Sequence, residues 1–203
     1  MNKRLEITDE LLNEINTKFN KDYKKDDLIA FDIKLAHNDV DKDYEAFSEN
    51  SLREMAELFV GKTGFIFTDK KTQYNVRVLS TELFGDLDEV KLKYKKNRYG
   101  QTYIVLRAII FAYRNKDLEE FDIENSEFSI SCSVLHRQCS ICLKDNCIEH
   151  YKGITYPFRP SFYTVTNEVF PHNTINRCFY LLNGVTDVYE FANVLPCDND
   201  EMS

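Results

Sequence analysis

A chain of 203 residues with 43% hydrophobic content is long enough to bury one substantial core, and a single compact domain is the default. The 26 Lys and Arg against 34 Asp and Glu leave a net charge of −8, which argues against a nucleic-acid-binding surface, because phosphate contacts need basic groups. There is no run of about eighteen apolar residues, and the polar start "MNKRLEITDE" lacks the apolar stretch of a signal peptide, so a soluble, intracellular, non-secreted protein is expected.

Taken in chain order, Thr8 followed by Leu11, Leu12, Ile15 and Phe19 at helical spacing predicts a short capped helix whose end dissolves into "NKDYKKDD". "LIAFDIKLA" (28–36) reads as a core strand running into the acidic turn "HNDVDKD". From Ser51, with Glu54 as its capping-box partner, the apolar positions Leu52, Met55, Ala56, Phe59 and Val60 share one helical face, and Gly61 can end the helix. "GFIF" (64–67), "YNVRVLSTELF" (74–84), "EVKLKYK" (89–95) and "YIVLRAIIFAY" (103–113) follow as strand-like segments, and residues 115–125 carry a second short helix. The basic run "KLKYKKNR" (91–98) and the pair Lys24 and Lys25 read as solvated loops or strand edges.

Residues 126–134 alternate, with Phe128, Ile130, Cys132 and Val134 on one face and Ser129, Ser131 and Ser133 on the other. A last strand is expected at "VYEFANVLP" (188–196), then the acidic tail "CDNDEMS". Short strands with two or three helices and no regular βαβ alternation favour an α+β domain built around a curled sheet or barrel. The boundaries expected are an N-terminal helix and polar lead-in (1–27), a main domain (28–196) with a cysteine-rich insertion (139–153), and the tail (197–203).

Cys139-x2-Cys142-x4-Cys147-x2-His150 offers three thiolates and an imidazole within twelve residues, matching the tetrahedral preference of structural Zn2+. Cys178 is an alternative ligand, so the expected site is either three cysteines and a histidine or four cysteines. Four protein ligands leave no open position for water, which makes such a site a staple for a loop rather than a catalytic centre. The bland alternative is a group of free, partly buried cysteines.

The stretches "AHNDVDKDYEAFSENSLREMAELFVGKTG" (36–64), "EFSISCSV" (127–134), "CSICLKDNCIEHYKG" (139–153) and "TDVYEFANVLP" (186–196), in this order, resemble the tailed-bacteriophage prohead (head-maturation) serine proteases, in the branch with a cysteine insertion after the catalytic strand. The resemblance implies a fold similar to herpesvirus assemblin, a closed or nearly closed β-barrel with helices around it. It also implies a nucleophilic serine, matched here by Ser129, and a histidine base from an earlier strand. The family cuts scaffold or capsid precursor inside the immature shell. The implied partners are therefore a phage major capsid or scaffold protein and further copies of the chain, and the implied location is the assembling capsid or virion in the host cytoplasm.

Two departures weaken catalysis. Thr68 stands where the family histidine is expected, and Ser131 replaces the family glycine two residues past the nucleophile. Loss of that histidine lowers turnover by about 10⁴ to 10⁶. His37, beside Asp39 and Asp41, is the candidate substitute base; His136 lies close to Ser129 along the strand, His150 is assigned to metal, and His172 has no visible partner. The leading expectation is a capsid-assembly protein with reduced or absent proteolysis that binds capsid or scaffold chains. The alternatives are an active protease using Ser129 with His37, and a zinc-stapled interaction module unrelated to capsids.

Overall fold

The computed structural model describes residues 1–69, 72–85, 93–97, 100–156 and 177–195, together with the backbone of 87–88, 164–165 and 168–169. Within them the order is β1 (Lys3–Leu5), α1 (Asp9–Phe19), β2 (Leu28–His37), β3 (Glu45–Phe47), α2 (Glu49–Phe59), β4 (Thr63–Phe67), β5 (Gln73–Gly85), β6 (Leu87–Asp88), β7 (Lys93–Tyr94), β8 (Ile104–Tyr113), α3 (Lys116–Glu120), β9 (Phe128–Cys139), β10 (Thr164–Val165), β11 (Glu168–Val169) and β12 (Tyr180–Asn193). The α+β class expected from the sequence holds. Residues 89–92 of the expected strand "EVKLKYK" lie outside the described residues.

Eight strands form one sheet in the order β1-β2-β8-β5-β4-β12-β3, with β9 paired to β12. Its pairs are antiparallel except those of β12 with β3 and with β4. The sheet curls but does not close, so of the expected closed or nearly closed barrel the closed form is not adopted. Strands β2 and β9 come into contact across the opening. At that seam the Asn2 side chain takes the place of a ladder: its amide donates to the Ser126 carbonyl at 2.8 Å and accepts the Lys34 N–H at 2.7 Å. β1 covers β2 only at residues 30–32, leaving the rest of that edge without a paired strand among the described residues.

β2 is apolar on both faces because both are covered. Ile29, Phe31 and Ile33 enter the main core with Leu52, Met55 and Phe59 of α2, while Leu28 and Ala30 meet Ile15 of α1 on the other side. Thr8 caps α1 by accepting the Leu11 N–H. The helix ends sharply rather than dissolving, because Asn20 takes a left-handed φ of 50° and its N–H returns to the Asn16 carbonyl.

Helix α2 begins earlier than the capping box at Ser51 implies. Ser48 is the N-cap, accepting the Ser51 N–H, and the Ser51 hydroxyl donates to the Leu182 carbonyl at 3.0 Å. Glu54 does not cap its own helix: one carboxylate oxygen accepts the Val185 N–H of β12 at 2.7 Å. The third helix is shorter than the expected 115–125, ending at Glu120. The last strand is longer than expected, starting at Tyr180 instead of 188.

Gly64 on β4 lets the buried Phe191 ring lie close against the backbone; a Cβ there would sit 2.2 Å from a ring carbon. Gly64→Ala is therefore expected to cost about 1–3 kcal/mol by overpacking, read as a lower urea midpoint. Phe191→Leu removes the obstructing ring, so the double variant should lose less than the sum of the two.

Candidate metal centre and the serine strand

Strand β9 carries both sequence motifs. Its even positions Phe128, Ile130, Cys132 and Val134 pack against the core, while Ser129 and Ser131 are exposed, as the alternation requires. The strand continues to Cys139, opposite Tyr180 of β12, so the first cysteine of the cluster is a buried strand residue rather than part of a loose loop.

Two tight turns present the remaining donors. In the first, the Leu143 N–H closes on the Cys139 carbonyl at 2.8 Å and the Ile141 N–H points at the Cys139 sulfur at 3.4 Å. Leu143 adopts a φ of +64°, a left-handed conformation costing a side-chain-bearing residue about 1–2 kcal/mol. In the second, the Glu149 N–H points at the Cys147 sulfur at 3.3 Å, following Asn146 at φ +47°, which asparagine tolerates well.

The four donor atoms of Cys139, Cys142, Cys147 and His150 lie within 4.8 Å of one another. Cys142 and Cys147 sulfurs are 3.4 Å apart, and His150 Nδ1 lies 3.6 Å from the Cys139 sulfur and 3.4 Å from that of Cys147. A tetrahedral ion with bonds of about 2.3 Å to sulfur and about 2.0 Å to nitrogen sets its donors about 3.5–3.8 Å apart. The cluster could therefore hold a metal ion with little rearrangement. Cys178, the alternative ligand, is buried with its sulfur 3.8 Å from that of Cys139, but it stands outside the four-donor group.

The surroundings fix this geometry. The Tyr180 hydroxyl bridges the carbonyls of Cys147 and His150, at 2.7 and 2.9 Å, and the Tyr156 ring meets the His150 ring edge-on at 4.6 Å. Ser140 and Phe179 exchange two hydrogen bonds, and Gly153 and Ile154 bond Cys178 on both sides of its backbone. Further out, Glu45 accepts from Lys152 at 2.6 Å and from Arg137, tying the loop to β9 and β3.

Thiols must lose a proton to bind metal. Burial pushes Cys139 and Cys178 up, and Cys142 up to about 12. At Cys147 burial also opposes ionisation, but the Glu149 N–H, the Cys142 thiol and the His150 N–H and ring outweigh it and bring it down to about 7. Cys147 is thus the thiol best prepared to meet a cation.

Among the described residues, no hydrogen bond joins Ser129, Thr68 and His37 to one another. Ser129 sits opposite Ala192 on the exposed face, and among the described residues no histidine is hydrogen-bonded to it. Thr68, just past β4, bonds the Thr72 carbonyl through its N–H and lines an open groove of about 550 Å³ with Phe67, Asp117, Phe121 and Asn193; Ser129 is not on its walls. His37 accepts the Asp39 N–H at Nδ1 (3.1 Å), and its ring packs on Tyr103 at 5.6 Å. His136 has the orientation a base needs, with Nδ1 2.9 Å from the Asp145 carboxylate, yet the other oxygen of Asp145 accepts the Arg137 N–H, so this pair clips the cysteine loop to β9. His172 lies outside the described residues.

Sequence reasoning missed Tyr180, Glu45 and Asp145. Asp145 alone carried a local signal, as the acidic residue between the two ligand pairs. No family model, no curated protein and no solved structure matches this chain. Among the described residues no helix is long and apolar enough to cross a membrane.

Burial favours a neutral Glu45, but hydrogen bonds from Lys152 and Arg137 outweigh it and hold the carboxyl below its ordinary 4.5. A lowered folded value means that the stabilisation is complete above the ordinary value and is lost as pH falls through the lowered one. Glu45→Gln should accordingly cost about 1 kcal/mol at pH 7 in urea unfolding, with the difference from wild type shrinking as acid titration passes below the carboxylate range.

Proposed function

We propose that this protein is a capsid-assembly protein of the prohead-protease type that has lost efficient proteolysis, and that it binds capsid or scaffold chains through a sheet whose cysteine loop is stapled by a structural zinc ion. The absence of a histidine hydrogen-bonded to Ser129 among the described residues carries the non-catalytic reading. It is exposed on β9, Thr68 stands at the expected base position, and two contacts of His37 turn it towards Asp39 and Tyr103. A serine hydroxyl without a positioned base is a poor nucleophile at neutral pH. Support for the capsid context comes from the four ordered stretches in the sequence.

Zinc is the ion that three thiolates and an imidazole at tetrahedral spacing fit best. With all four positions filled by protein, it supplies no activated water. Its work is to fold residues 139–153, which have few buried apolar side chains of their own, onto the start of β12.

Co-expression with the cognate scaffold or capsid precursor tests the reading. The expected result is an uncut precursor that co-purifies with wild type, Ser129→Ala and His37→Ala alike. Cleavage by wild type that disappears in Ser129→Ala would overturn it in favour of an active protease, and a precursor neither cut nor bound would favour a module unrelated to capsids. Elemental analysis of protein never exposed to chelator should find about one equivalent of zinc; less than about a tenth removes the staple. Cys142→Ser is expected to lose the zinc and make residues 139–153 the first site of limited proteolysis, with the core sheet still folded.

A further inference from the structure

Three cysteine ligands are an odd number, and a fourth thiol stands beside them. The four sulfurs fall into two close pairs, Cys142 with Cys147 at 3.4 Å and Cys139 with Cys178 at 3.8 Å. The first pair is half-buried at the outside of the loop, and the second is fully buried at its root. Cys178 is anchored at that root, since its N–H donates to Ile154 and its carbonyl accepts from Gly153.

We propose that the centre is a peroxide-sensitive switch in which Cys178 is the resolving partner of Cys139, so that oxidation closes two disulfides, Cys142–Cys147 and Cys139–Cys178, and releases the metal. This rests on the zinc reading above. The order follows from exposure. Peroxide reaches the outer pair first, the ion is left with Cys139 and His150 and departs, and the loosened loop then admits peroxide to the inner pair.

At each pair one thiolate sulfur attacks a peroxide oxygen and the O–O bond breaks; the departing hydroxide takes a proton and leaves as water, and a sulfenic acid remains. The partner sulfur attacks the sulfenic sulfur, the S–S bond forms as the S–O bond breaks, and the second oxygen leaves as water. Two electrons from the sulfur pair reduce one hydrogen peroxide to two waters. His150 is unchanged, and zinc leaves as the aqueous ion.

Cys178 gives this chemistry its reversibility. Without it, closing the outer pair would strand Cys139 as a lone thiol, which a second peroxide oxidises to a sulfenic acid with no partner and further peroxide carries to the irreversible sulfinic and sulfonic states. With it, every sulfur of the centre ends in a bond that a dithiol can reduce.

The test uses the full-length chain, zinc-loaded and titrated with hydrogen peroxide. Zinc release is followed with a chromophoric chelator, disulfides are mapped by mass spectrometry after alkylation, and recovery is measured after dithiothreitol and fresh zinc. Wild type should release its zinc, show both mapped pairs and regain the metal. Cys178→Ala and Cys178→Ser should bind zinc beforehand like wild type but regain less than about half of it, with two or three oxygens added at Cys139. A zinc-loaded wild type whose map lacks Cys139–Cys178, or variants that recover as fully as wild type, would overturn the switch alone. A chain that holds no zinc before peroxide overturns the metal reading and the switch with it. The wild-type map decides the pairing even if removing a buried thiol unfolds the variants.

Discussion

The antiparallel ladder between β9 and β12 is the constraint on which the rest of the molecule depends. It runs from Phe128 opposite Asn193 to Cys139 opposite Tyr180, with two irregularities on the β12 side. The irregularities bend β12, which is how one strand lies parallel to β3 at its start and to β4 at its end. Phe191, Val188 and Val185 thereby enter the core, while the two cysteine-bearing segments meet at the other end of the same ladder.

This arrangement separates what looks continuous in sequence. The serines and the first cysteine of the donor cluster belong to one strand, yet Ser129 faces solvent near the end of β12 and Cys139 is buried near its beginning. Strand geometry links the serine segment and the cysteine cluster mechanically while holding them at opposite ends of one ladder. Asparagine side chains complete the frame where backbone pairing stops. Asn193 exchanges two hydrogen bonds with Phe67, Asn38 bonds Thr102 and Ile104, and Asn2 joins β2 to the segment before β9. Each satisfies part-buried backbone groups that would otherwise cost free energy, and none continues the ladder. The opening between β2 and β9 is one such ending, which is why a sheet curled far enough to bring them into contact still has edges.

Local signals were legible wherever the nearest neighbours in sequence are also the partners in space. Thr8 capped the helix that it announced, "LIAFDIKLA" and "YIVLRAIIFAY" became β2 and β8, and the alternation through Phe128, Ile130 and Cys132 marked the buried face of β9. Misreadings arose where a side chain's best partner is distant. Ser51 and Glu54 fit a capping box, but β12 offers Leu182 and Val185, and those bonds outcompete the local ones once α2 is packed against it. The early part of β12 went unread because "YLLNGVTD" has no clean alternation and contains Gly184 at φ +69°.

The sequence by itself determined that Cys139 with Cys142 and Cys147 with His150 each have the two-residue spacing of a ligand pair, and it left open whether His150 or Cys178 completes the set. It determined equally that Thr68 cannot act as a base, because that is a property of the side chain alone. Only the tertiary structure decided that His150 rather than Cys178 completes the four-donor group, that Cys178 nonetheless lies against Cys139, and that Ser129 has no histidine bonded to it among the described residues. Those are distances between segments tens of residues apart, set by how β9 and β12 register and bend, and no local propensity encodes a register.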